Sequence, residues 1–300
     1  MDGISVNLWL DDTAEEAVAT YTSMFPNSRV TGTLRYTEAG KEFHVHEPGS
    51  VMTIDFELDG FRLVALNGGA YFTLNPSVSL FINCATAAET ALYWDRLSDG
   101  GTVLMPLDTY PFSERYGWVQ DRFGISWQIM VTDSLSHRIV PSLLFVGDVA
   151  GQAEEAIHYY ASVFRRSSIG KISHYGSGQL PNTETMINHA DFFLEGQRFA
   201  AMDSALDHEF GFNEAASFVI NCDDQSEIDY YWDRLSASSE AEQCGWLKDK
   251  YGVSWQVVPT AALNRMMGDG DPQKIERMSS SLYAMKKLDL AALERAFASA

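Results

Sequence analysis

Apolar residues recur along this chain in two alternating periods. Residues 4–10 form a short apolar run that reads as a strand, ended by Asp11-Asp12-Thr13. Ala14, Ala17, Val18, Tyr21 and Phe25 then fall at i, i+3, i+4, i+7 and i+11, the stripe of an amphipathic helix that Pro26 stops. Residues 50–58 and 61–66 flank Asp59-Gly60 and predict a hairpin, which ends at Asn67-Gly68-Gly69. The order then begins again, with a strand at 78–83, a helix at 87–97 closed by Gly100-Gly101, and strands ending in 125–131.

The whole pattern occurs twice. Asn83-Cys84 and Tyr93-Trp94-Asp95-Arg96-Leu97-Ser98 return as Asn221-Cys222 and Tyr231-Trp232-Asp233-Arg234-Leu235-Ser236, both at one common offset. Asp121-Arg122-Phe123-Gly124-Ile125-Ser126-Trp127-Gln128 returns as Asp249-Lys250-Tyr251-Gly252-Val253-Ser254-Trp255-Gln256 at a smaller offset, so the second copy is shorter between the two matches. Ala153, Ala156, Ile157, Tyr160 and Phe164 repeat the first helical stripe after a strand at 142–146, and 187–194 with 197–202 repeat the hairpin. A period near 130 suits a small domain rather than a solenoid repeat. The expectation is an α+β protein with four strand–helix–strands units in two tandem domains, 1–135 and 138–262. A helical tail over 263–300 has no counterpart after the first copy. Asp271-Pro272 starts one helix there and Asp289 caps another, an arrangement expected to pack across an interface.

With 41 acidic residues against 21 basic ones, the net charge of −20 excludes nucleic acid and anionic membranes as partners. No signal peptide or membrane-length apolar run is evident, and three cysteines without CxxC spacing form no disulfide framework, so a cytoplasmic protein is expected. Cys84 and Cys222 read as packing residues at strand ends. Cys244 stands nearer a pocket rim, but Tyr116 takes its place in the first copy. No glycine-rich strand-to-helix loop of the dinucleotide type occurs. His44-Val45-His46 would place two imidazoles on one strand face, yet Glu42, Glu47 and Pro48-Gly49 around it favour an exposed edge or loop over a chelate.

Leu8-Trp9-Leu10-Asp11, Leu58-Asp59-Gly60, Ala65-Leu66-Asn67-Gly68-Gly69, Asp121…Gly124…Trp127-Gln128, Phe212-Asn213-Glu214-Ala215-Ala216-Ser217-Phe218 and Gln243-Cys244-Gly245-Trp246 resemble the PhnB-like family. That family is also labelled demethylubiquinone-methyltransferase-like and belongs to the glyoxalase/bleomycin-resistance (vicinal oxygen chelate) superfamily. The resemblance implies paired βαβββ modules whose sheets curve round a pocket. It also implies metal-ligand positions on the first and last strands of each module: Ser5 or Asn7, Ala65, Ser79 and Gln128, then Ser142 or Leu143, Ala201 or Met202, Ser217 and Gln256. None of these is a histidine or a carboxylate, so no metal and no cofactor are expected.

Aromatic residues with a few amides make an ordinary small-molecule pocket. The candidate ligand-binding residues are Asn7, Trp9, Asn67, Ser79, Trp118, Gln128, Ser217, Gln243, Cys244, Trp246 and Gln256; no catalytic residue is identified. A binder of a small molecule is expected, acting as a monomer with an internal pseudo-dimer or as a homodimer. A metal-dependent lyase, isomerase or dioxygenase and a purely structural protein are the alternatives. Of the two copies, the second is expected to dominate binding, because it departs less from the family pattern.

Overall fold

The computed structural model describes residues 3–41 and 44–299. The first unit consists of β1 (Ile4–Leu10), α1 (Ala14–Met24), β2 (Arg29–Arg35), β3 (Val51–Leu58) and β4 (Phe61–Asn67). The second consists of β5 (Val78–Cys84), α2 (Ala87–Leu97), β6 (Thr102–Tyr110), β7 (Ser113–Gln120) and β8 (Ser126–Val131). In the second copy β9 (Ile139–Phe145), α3 (Ala153–Val163), β10 (Ser168–His174), β11 (Ile187–Leu194) and β12 (Gln197–Asp203) form the third unit. The fourth has β13 (Ala216–Asn221), α4 (Gln225–Leu235), β14 (Trp246–Lys248) and β15 (Ser254–Val258). Its missing strand accounts for the shorter spacing of the second copy.

The strands form two mixed sheets that exchange units between the copies. One has seven strands in the order β14-β15-β13-β1-β4-β3-β2, joining the first unit to the fourth; the other has eight, β10-β11-β12-β9-β5-β8-β7-β6, joining the second to the third. The joins are antiparallel, β1 with β13 and β5 with β9. Strand β9 starts at Ile139, ahead of the expected 142, so Pro141 lies within it. Its pairing with β12 begins only at Ser142, so Pro141 sits where one edge of the strand is unpaired and a missing N–H is tolerated.

While the sheets link the copies, the helix-side core links the units within each copy. Asp121, after β7, accepts from Tyr21 Oη of α1 at 2.6 Å, Trp127 Nε1 at 2.8 Å, and the Phe123 and Ile125 amides at 2.9 and 3.0 Å. Asp249 does the same with Tyr160 of α3, Trp255, Tyr251 and Val253 at 2.7, 2.8, 2.9 and 3.1 Å. These bonds explain the repeated Asp-x-x-Gly-x-Ser-Trp pattern. The acid closes its own turn, with Gly124 and Gly252 at φ +89° and +85°, and anchors the tryptophan and a helix tyrosine.

The tail folds as α5 (Thr260–Met267), which the sequence pattern did not predict, α6 (Pro272–Tyr283) and α7 (Leu290–Ala298). It has its own small core of Met266, Met278, Leu288 and Leu293, which packs on Val258 of β15. Asp271 and Asp289 cap α6 and α7 as expected. The Cys244 and Gly245 amides bond to the Met285 and Lys286 carbonyls, tying the tail to the second copy. Tyr283 then reaches the first copy, lying so close over Gly40 that a Cβ there would meet its ring at 2.6 Å. The tail therefore bridges the copies. No helix among the described residues is long and apolar enough to cross a membrane.

Candidate functional site

Strand parity defines the two faces of each sheet. On β1, Ile4, Val6, Leu8 and Leu10 join the helix-side core, leaving Ser5, Asn7 and Trp9 on the other, concave face. Aromatic rings from distant strands converge on this face. Trp9 on β1 and Trp246 on β14 are three strands apart, about 14 Å in a flat sheet, yet their ring centroids lie 6.1 Å apart, edge to face. Phe72 meets Trp9 at 4.9 Å, and Trp9 Nε1 donates to the Gly69 carbonyl at 2.7 Å. Only glycine fits at 68, where a Cβ would lie 2.1 Å from the indole.

Beneath this wall, register aligns a polar row across the seven-stranded cup: Lys248, Ser254, Ser217, Asn7, Val64 and Asp55. Gln256 Nε2 donates to Ser217 Oγ at 3.0 Å, and Lys248 pairs with Glu214 at 2.8 Å. Asn7 Nδ2 and Ser254 Oγ are buried without a hydrogen-bond partner among the described residues, each residue being 2% exposed. Asp55 is half-buried and makes no hydrogen bond or ion pair among the described residues. Burial holds its carboxyl above the usual carboxylate range.

The eight-stranded cup carries the matching row Ser79, Ser142, Ala200 and Asp191. Its interior is closed by Phe81, Tyr116, Val140 and Ala200, with Met105, Tyr110, Trp118, Met130 and Met202 packed against them. Gln128 has both ends of its amide occupied, accepting from Tyr116 Oη at 2.7 Å and donating to Ser79 Oγ at 2.7 Å. Trp118 Nε1 donates to Ser126 Oγ at 2.7 Å. Ser142 Oγ is the one buried polar side-chain atom on this row without a partner among the described residues. Asp191 bonds to Arg198 at 2.8 Å and lies 3.6 Å from His189. Against the upward pull of burial, these two hold its carboxyl below the usual range.

Of the expected binding residues, Asn7, Trp9, Ser217, Trp246 and Gln256 converge on the seven-stranded cup, and Ser79, Trp118 and Gln128 on the eight-stranded one. Each sheet contains strands of both copies, so the two cups do not correspond to the two copies. Asn67 faces the helices instead: its Oδ1 caps α1 by accepting from the Ala14 amide at 2.9 Å, and its Nδ2 donates to Glu15 and the Val51 carbonyl. Asp203 caps α3 in the same way. Gln243 and Cys244 meet the tail, with Gln243 Nε2 donating to the Tyr283 carbonyl at 2.7 Å. Burial pushes the Cys84 thiol up to about 12 and raises those of Cys222 and Cys244, so none of the three is a ready thiolate.

The metal-ligand positions need correction at Ala65, Leu143 and Ala201, which belong to the helix-side core. Val64 or Leu66, Ser142, and Ala200 or Met202 face the cups in their place. The corrected sets, Asn7-Val64-Ser217-Gln256 and Ser142-Ala200-Ser79-Gln128, are neutral and do not fit a divalent cation. His44 and His46 lie in a loop, where their rings flank Tyr36 at 4.3 and 4.5 Å. His46 Nδ1 is 3.3 Å from Asp12, and no group of three metal-ligating side chains forms among the described residues. Asp55, Ser254 and Lys248 escaped the sequence reading. The alternation of Ile54, Phe56 and Leu58 toward the core was the available signal for Asp55.

Two mixed sheets built from four βαβ-type units, each with a row of polar side chains on the face away from the helices, define a tandem member of the glyoxalase/bleomycin-resistance superfamily. The model of the family described as 3-demethylubiquinone-9 3-methyltransferase matches residues 2–130 and again 137–258, and the chain belongs to that family. A PhnB protein of Bacillus cereus with the same description is 34% identical over 43% of this chain and 98% of its own, with a TM-score of 0.39. Glyoxalase I of Zea mays, 8% identical, matches 77% of this chain and 78% of its own with a TM-score of 0.51. A single-substitution variant of that enzyme, 9% identical, matches 88% of this chain and 94% of its own at 0.55, a likeness of fold. No curated protein matches the sequence.

Proposed function

We propose that this chain binds a small molecule in its seven-stranded cup and does so without the divalent ion of its superfamily. The observation that carries this reading is the cup floor, where Asn7 Nδ2 and Ser254 Oγ are buried without partners near an aromatic wall. A buried polar group left unpaired costs roughly 1–3 kcal/mol, and a ligand that bonds to it removes that cost. The neutral donor sets support the metal-independent part. Methyl transfer from a nucleotide-type cofactor is not part of the proposal. The turns after β1 and β13 carry Asp11-Asp12 and Asp223-Asp224 in place of glycines, which disfavours phosphate at those helix N-termini.

The copies pair through β1–β13 and β5–β9, which supports a chain that forms its pseudo-twofold pair internally. Light scattering should then give the mass of a single chain, and a tetramer would count against it. The binding reading is tested by native mass spectrometry and elemental analysis of the purified protein. A co-purified organic mass lost on substituting Trp246, with no stoichiometric metal, is expected. One divalent ion per chain would overturn the proposal.

A further inference from the structure

Internal repetition provides a control for every position in the cup. Asp55 and Asp191 are equivalent, as are Arg62 and Arg198, and Thr53 and His189, all three pairs sharing one offset in the repeat. In the eight-stranded cup, Arg198 and His189 surround Asp191. In the seven-stranded cup, the histidine is replaced by Thr53 and the arginine turns away. Arg62 Nη2 lies 3.1 Å from where a Gly3 Cβ would stand, and the residue lines a surface cleft of about 490 Å³ with Glu57, Arg166 and Glu195. The Asp55 carboxylate lies over Gly32 of β2, where a Cβ would meet Oδ2 at 2.9 Å.

Resting on the cup reading above, we infer that the ligand is a cation: an amine whose protonated nitrogen pairs with Asp55. Asn7, two strands away and about 10 Å distant at Cα, turns its free Nδ2 donor toward an acceptor oxygen on the same molecule. The apolar part of the ligand lies toward Trp9 and Trp246, whose ring faces also favour a cation. Lys248, the other charge on this row, is already neutralised by Glu214 and stands at its far end. The half-burial of Asp55 fits this occupant, because a partly desolvated carboxyl with no counter-ion among the described residues gains from a partner that brings one.

The probes are 4-methoxyphenethylamine, its neutral isostere 2-(4-methoxyphenyl)ethanol, and 3-(4-methoxyphenyl)propionate, titrated calorimetrically into the full chain at neutral pH. The amine should bind at least ten-fold more tightly than the alcohol, and the propionate should not bind. Asp55→Asn should erase the ten-fold preference, while Asp191→Asn should preserve it. Thr53→His, which imports the neutralising group of the other cup, should lower the preference even if Asp55→Asn folds poorly. Equal affinity for amine and alcohol, or a preference that survives Asp55→Asn in folded protein, overturns the cation and leaves the cup reading intact. Failure of all three probes to bind overturns both.

Discussion

Asp55 and Asp191 occupy the same place in two cups made from the same repeated sequence, and only Asp191 is neutralised. Around Asp191 the cup is filled. Tyr116, Phe81 and the methionines close it, and Gln128 is bonded at both ends. Around Asp55 the floor keeps two buried polar atoms unpaired among the described residues, Asn7 Nδ2 and Ser254 Oγ, against Ser142 Oγ alone on the other row, and it adds an aromatic wall and a helical tail bridging the two copies. Duplication relieves one copy of a site from function, and that site can then pack for stability. The other keeps locally unfavourable groups, as binding sites commonly do. On the proposed reading, the eight-stranded cup serves as a core and the seven-stranded cup as the site.

The largest effect should come from opening the filled cup. Phe81 is 6% exposed, and Phe81→Ala should cost about 3–5 kcal/mol of unfolding free energy, read from urea midpoints. Trp246, half-buried in the other cup, should cost only about 1–2 kcal/mol as Trp246→Ala, while amine-probe binding is lost. Similar losses from both substitutions would erase the contrast between core and site.

Repetition and periodicity made most of this fold legible. Strand Ile187–Leu194 has the expected ends, as does helix Ala87–Leu97, because alternation and caps are local signals. The exchange of units between the sheets was not legible. The β1–β13 register joins strands from opposite ends of the chain, and nothing in either strand's alternation names its partner. The family resemblance places Ala65 on the cup, and hydropathy could not correct it, because Leu63-Val64-Ala65-Leu66 is apolar on both faces and does not set its parity. Asn67 looked like a pocket amide, but it follows that core parity and caps a helix.

A middle-sized effect should come from Asp249, which both sharpens the repeat comparison and carries a pH signature. Burial raises its carboxyl from 3.8 to about 6. The folded chain therefore binds this proton more tightly than the unfolded chain does. The resulting stabilisation is fully present below the unfolded value and is lost as pH rises through about 6. Asp249→Asn removes that step and misdirects an amide at Tyr160 and Trp255. It should lose about 2–3 kcal/mol and flatten the fall in stability between pH 4 and 6. An unchanged pH slope would show that another group controls this window.

The smallest effect is the most discriminating, because its sign should differ between the cups. Gln128 and Asn7 are both buried amides, 1% and 2% exposed, on cup faces. Gln128→Leu strands Tyr116 Oη and Ser79 Oγ, and should destabilise by about 1–2 kcal/mol without changing probe affinity. Asn7→Leu removes a buried donor that has no partner and substitutes a side chain of nearly the same size. It should therefore leave the empty protein unchanged or about 1 kcal/mol more stable, while weakening the amine probe at least ten-fold. Thermal melts of both variants, with and without the probe, separate the two terms. A destabilised Asn7→Leu protein with undiminished probe affinity would mean that Asn7 is part of the packing, as Gln128 is, and that the seven-stranded cup is a second core.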